Sequence, residues 1–361
     1  MFRTRKVAAL VSVVALLASA TTACSSGGAS GCKVGVSWNN YQEERWAKWD
    51  EPAIKKALEA DGAVYMSNDA KSSSDTQAAN VDALVNQGAK VVIILAQDGT
   101  AIKPAVAKAV NAGAKVISYD RLIEDANAFY ITFDNVLVGK LEAEGVLAVK
   151  NEGNFVIIKG NKADANADFI REGMTQAGIP PVGGTDPTGK IKIVGESYTE
   201  NWDPAIAKTN MEQFLKANNN KVDAVVASND GTAGGVISAL KDQGMAGTVP
   251  VSGQDGDAAA LNRIALGTQT VDVWKDARLL GEAAGKAAVA LCGGTALDKI
   301  STPEGAAKPF VTPVDKVTVQ SILITPQAIT NKNLKVVLDA NWIDKATLCK
   351  DVPAGKVDVC G

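Results

Sequence analysis

Seven short segments of this sequence carry side chains suited to holding a polyhydroxylated ligand. They are Glu44-Arg45-Trp46, Tyr119-Asp120-Arg121, Asp164-Ala165-Asn166, Glu200-Asn201-Trp202-Asp203, Asn229-Asp230, Gln254-Asp255 and Trp274-Lys275. Carboxylates accept from hydroxyl groups, arginine and lysine donate to them, and asparagine does both. Tryptophan adds a flat apolar face for the C–H side of a ring. Aromatic residues make up only 5% of the chain, yet Trp46, Tyr119, Trp202 and Trp274 all fall in these segments. Helix capping explains an isolated Asp or Asn, but it does not explain the tryptophans.

Other chemistries find less support. The chain contains no histidine, which excludes His-based triads, general bases and metal ligands. Residues 164–168 (DANAD) imitate the start of a calcium loop, but Phe169 and Thr175 stand where that loop needs Gly and Glu. No P-loop and no Gly-x-Ser-x-Gly elbow occurs. A net charge of −3 without a basic run argues against nucleic acid. No cofactor is expected.

The segments are positioned by alternating strands and helices. Lys33–Trp38, Ala63–Ser67, Lys90–Ala96 and Lys115–Tyr119 read as strands. Glu43–Ala60, Asp75–Gln87 and Ala101–Ala112 read as the helices between them. Glycine follows closely after each helix, as a C-cap should. The pattern restarts at Asn154, with strands at Phe155–Lys159, Ile191–Gly195, Ala224–Ser228, Val249–Ser252 and Thr270–Trp274. This predicts an α/β protein with two doubly wound parallel sheets of similar size. In such sheets ligands bind outside the carboxyl ends of strands, where all seven segments lie. Beyond Gly293, residues 302–313 read as a loop, Val317–Ile324 as a strand and Asn333–Asn341 as a helix.

Residues 1–23 form a secretory leader: Arg3, Arg5 and Lys6, an apolar stretch too short for a stable span, then small residues. Cys24 follows in a lipobox-like setting, although Thr21 departs from the usual Leu; simple cleavage after Ala20 is the alternative. Residues 24–32 then form a tether. Lipidation of Cys24 would leave four of the five cysteines, an even set for an oxidising compartment. Cys349 and Cys360 are the favoured disulfide pair, with a tie from the tail to Cys292 or Cys32 left open.

Several stretches together resemble the type I periplasmic sugar-binding proteins that serve ABC importers. They are Glu44-Arg45-Trp46, Tyr119-Asp120-Arg121, Phe133-Asp134-Asn135 and the runs at 224–235 (AVVASNDGTAGG), 252–257 (SGQDGD) and 267–275 (GTQTVDVWK). Within the family the pattern is most like that of members taking D-xylose. The resemblance implies stacking by Trp46 and Trp202. It implies polar contacts from Arg45, Asp120, Arg121, Asp164, Asn166, Asn229, Asp255 and Lys275. It also implies three crossings between lobes, near residues 135, 275 and 322. The lobes would then be 33–135 plus 276–322 and 136–275 plus 323–361. The expected function is capture, not catalysis, by a monomer anchored outside the membrane and delivering sugar to a permease. Glucose, galactose or arabinose, a chemosensory role and a sugar-acting enzyme are the alternatives.

Overall fold

The computed structural model describes residues 30–361; the leader, Cys24 and most of the tether lie outside it. The chain builds two sheets in succession. The first contains β1 (Lys33–Trp38), β2 (Val64–Asp69), β3 (Val91–Ile94), β4 (Lys115–Tyr119) and β5 (Ala128–Phe133). Helices α1 (Glu51–Ala60), α2 (Ser74–Asn86) and α3 (Lys103–Asn111) connect them. Helix α4 (Asn135–Leu147) leads into the second sheet, of β6 (Gly153–Ile158), β7 (Ile191–Ser197), β8 (Ala224–Ala227), β9 (Ser252–Gln254) and β10 (Val271–Trp274). Its helices are α5 (Asn166–Gln176), α6 (Pro204–Ala217), α7 (Asp230–Asp242) and α8 (Ala258–Leu266).

Helix α9 (Ala277–Cys292) returns the chain to the first sheet. There follow β11 (Ser301–Thr302), β12 (Gly305–Ala306), β13 (Lys308–Val311) and β14 (Thr318–Ile324). Then come β15 (Gln327–Ile329), α10 (Lys335–Asp339) and α11 (Lys345–Leu348). The first sheet has the order β13-β14-β5-β4-β3-β1-β2. A bridge from Val225 to Val251 joins β7-β6-β8 to β9-β10-β15 as the second.

The expected parallel sheets are present, with antiparallel additions at their edges. Strands β13 and β15 run antiparallel at the edges. The stretch 302–313 is not simply a loop: it carries β12 and β13, with Pro309 on the outermost strand, where its missing N–H costs no ladder bond. Strand β5, buried along its whole length, lies inside the first sheet between β14 and β4, although only its end stands out in the sequence. β14 stays on the first sheet through Ile324, so the last crossing follows that residue.

Apolar strands are sandwiched as their composition requires. One cluster joins the first sheet to α1 and α9 and another joins its opposite face to α2 and α3. The second sheet is likewise covered by α4 and α5 on one face and by α6 and α7 on the other. Glycines allow the closest helix pairs: a Cβ on Gly139 would lie 1.8 Å from the Ile170 carbonyl oxygen, and one on Gly173 1.9 Å from that of Val136. The disulfides are Cys32–Cys292, tying the start of β1 to the end of α9, and Cys349–Cys360, closing the tail. Among the described residues no helix is long and apolar enough to cross a membrane.

Candidate functional site

The carboxyl ends of the two sets of strands face each other across one cleft. All ten expected residues line it: Arg45, Trp46, Asp120 and Arg121 from the first sheet, and Asp164, Asn166, Trp202, Asn229, Asp255 and Lys275 from the second. Glu43 and Gln254 join them. Gln254 ends β9 within the Gln254-Asp255 segment singled out above, whereas Glu43, two residues before Arg45, has no distinguishing sequence pattern. Two of the conspicuous aromatics face elsewhere. Trp274 packs against Trp342 of the tail, and Tyr119 is buried behind the site with its hydroxyl on Asp50.

The expected helix 43–60 is interrupted, and the interruption builds the site. Residues Trp46–Asp50 form a wide π-turn before α1 begins. Such a turn aligns residues five apart rather than four, so Arg45 stands over Asp50. Its Nε and Nη2 donate to the two Asp50 oxygens at 3.0 and 2.8 Å. The guanidinium also lies 4.4 Å from the centre of the Trp46 ring. Its remaining Nη1 reaches Asp120 and, from the other sheet, Asp255, both at 3.3 Å.

Arg121 does not pair with Asp120, its sequence neighbour. Its Nε meets Asp164 across the cleft at 3.0 Å, and its Nη1 donates to the Ala96 carbonyl at 3.2 Å. The reason lies in the backbone: Asp120 sits at φ 60°, and the Arg121 N–H closes a tight turn onto the Tyr119 carbonyl. That turn sends successive side chains apart. Asp tolerates the left-handed region better than most residues, and Asp255 uses it too, at φ 101°.

On the second sheet, Trp202 Nε1 donates to Asp164 at 3.2 Å, fixing the indole plane. Asn166 donates to the Asp120 carbonyl at 3.3 Å and is itself held by Asn135 at 2.9 Å. Asn229 caps α7 through Thr232 while its Nδ2 donates to Glu43 at 3.3 Å. It therefore serves as both cap and cleft residue. Lys275 Nζ lies 3.8 Å from Asp255. Burial pushes the Asp50 carboxyl up to about 6 although Arg45 opposes it. Burial likewise raises Asp164 against the pull of Arg121. Glu43 is pushed up to about 8, by burial first and the Asp255 charge second.

Three buried groups in the lining have no hydrogen-bond partner: Asp120 Oδ2, which keeps only its ion pair with Arg45, the Trp46 indole N–H and the Gln254 side-chain carbonyl. Leaving such groups unpaired costs about 1–3 kcal/mol each, so the cleft is built for a ligand with both donors and acceptors. With the side chains placed as they are, the cavity left between them is about 20 Å³, room for about one water.

The Periplasmic binding protein domain model matches residues 34–296. The chain belongs to the periplasmic binding protein family. The chain is 39% identical over 304 residues to the D-xylose-binding periplasmic protein of Escherichia coli (strain K12), covering 84% of this chain and 88% of that one. The protein of the same description from Haemophilus influenzae is 38% identical over 280 residues, covering 77% of this chain and 83% of that one. A carbohydrate transporter solute-binding protein from Chloroflexus aurantiacus, solved in complex with D-glucose, superposes with a TM-score of 0.76 at 30% identity. The match covers 89% of this chain and 98% of that one. The type I fold, two sheets wound with helices on both faces, is thus shared across the family match and the solved neighbour.

Proposed function

We propose that this binding protein captures one monosaccharide, D-xylose or a closely related aldose, in the cleft and hands it to an ABC importer. The observation that carries the reading is the lining itself. Three cations and four carboxyl groups surround the indoles of Trp46 and Trp202. A sugar ring is amphipathic in the matching way: equatorial hydroxyls around its rim, C–H groups on its faces. Xylose and glucose, the sugars of the relatives described above, have this form.

The units built on the two sheets act as lobes, with residues 33–135 plus the α9-to-β14 segment forming the first. Contacts already cross between them: Arg45 to Asp255, Arg121 to Asp164, and Gln97 to Asn201 at 2.8 Å. A sugar touching both sides favours closure only to the extent that it binds the closed form more tightly. Micromolar affinity needs about −8 kcal/mol, within reach of several charge-assisted hydrogen bonds. Lipidated Cys24 would hold the monomer at the outer membrane face near its permease.

The test is a thermal-shift panel of monosaccharides. A ligand bound only by the folded state, at a thousand times its Kd, adds about 4 kcal/mol of stability. Xylose should give the largest shift among the aldoses. A panel in which no aldose shifts the transition, with a non-sugar solute doing so, overturns the reading.

A further inference from the structure

Charge bookkeeping in the cleft leaves one carboxyl group over. Arg45 is shared by Asp50, Asp120 and Asp255; Arg121 is taken by Asp164; Lys275 lies against Asp255. Glu43 also lines the cavity, and none of these cations forms an ion pair with it. Its contact is with the Asn229 amide, which comes from the opposite sheet. It stands at the end of the loop after β1, half-buried, so in an open cleft it would be in water.

We propose that Glu43 is the closing residue of the cleft: it takes up a proton from solvent as the lobes close, and as a neutral acid it bridges to Asn229 beside the bound ligand. This rests on the sugar-capture reading. The charges around the group explain why the acid form is preferred. Asp255 and Asp257 face it from the β9 side and Asp120 from the β4 side, against Arg121 and Arg45. The two arginines are already committed to aspartates, so an ionised Glu43 would add a fourth negative charge to the lining in a setting that water screens only partly.

The sign follows from linkage. The carboxyl is raised to about 8 in the closed form and stays near the ordinary value of about 4.3 in open solution. The closed complex therefore binds the extra proton between those limits. Closure is fully supported below the open-state value and weakens as pH rises toward about 8, by at most tenfold in Kd per pH unit. Burial also raises Asp50 and Asp164, so Glu43 is told apart from them by a variant.

Calorimetric titration with xylose at pH 7, in two buffers of different ionisation enthalpy, counts the protons. The parent should take up close to one proton per sugar. Glu43→Gln, isosteric but without the acid, should take up none and show an affinity that no longer falls between pH 5.5 and 7.5. Glu43→Ala must likewise take up none. Binding by the parent without proton uptake overturns the proposal. So does uptake that persists in both variants, since the proton then goes elsewhere. If the parent binds no aldose at all, the sugar reading falls, and this proposal with it.

Discussion

Gly160 lies outside the cleft lining yet controls one of its walls. A Cβ built there would sit 2.0 Å from Cη2 and 2.1 Å from Cζ2 of Trp202, where ordinary contact begins near 3.4 Å. Gly160→Ala therefore forces the indole to move by about 1.4 Å or to change rotamer. Gly160 does not occupy the left-handed region, so alanine brings no backbone strain of its own. The displaced ring loses its stacking geometry, worth about 0.5–1.5 kcal/mol. It also loses the 3.2 Å hydrogen bond to Asp164, worth about 1.5–3 kcal/mol to a charged acceptor. Together these come to about 2–4.5 kcal/mol, or roughly 30- to 1600-fold in Kd. Titration calorimetry with xylose is the assay, with a melting curve to show that the variant folds. If Gly160→Ala folds and binds within twofold of the parent, Trp202 is not a sugar wall and the placement of the ligand is wrong.

Arg121→Lys keeps the charge but cannot reach Asp164 and the Ala96 carbonyl together, because lysine lacks the planar fork; titration should show affinity down about 30- to 150-fold, at 2–3 kcal/mol. The two disulfides should differ in worth: in the chain-entropy account a loop of 260 residues gains more from closure than one of 11, so denaturant melts of Cys32→Ser/Cys292→Ser should lose about 5 kcal/mol and of Cys349→Ser/Cys360→Ser about 3. Equal losses would show that native packing, not loop length, sets the effect. Small-angle scattering should give a smaller radius with xylose than without; an unchanged radius with binding confirmed means a rigid cleft. Mass spectrometry of the native N-terminal peptide should find a lipidated Cys24, and an unmodified peptide starting at Thr21 would refute the anchor.

Much of this architecture is written locally. Runs such as Val91–Ile94 are apolar on both faces and can only be central strands. Each β-to-α junction marks a carboxyl edge, so the seven segments are legible once the strands are placed; the resemblance to the binding-protein family is what singles out the ten cleft residues within them. Edge elements were not: β13 contains a proline and β15 has three residues, and pairing with a distant strand is what makes either of them a strand at all.

Partnership within the cleft was decided only in three dimensions. Sequence order suggests Arg121 beside Asp120, but a left-handed aspartate turns them apart, and Asp164 from the other sheet takes the guanidinium. Arg45 and Asp50 meet because a π-turn replaces the α-turn that periodicity implies. Trp46 and Trp274 look alike in sequence, yet one lines the cleft and the other packs on the tail. Residue type and strand position are local properties and survive in the linear code. Which cation meets which carboxylate, and which acid is left without one, depends on distances between chain segments that only the folded sheets bring together.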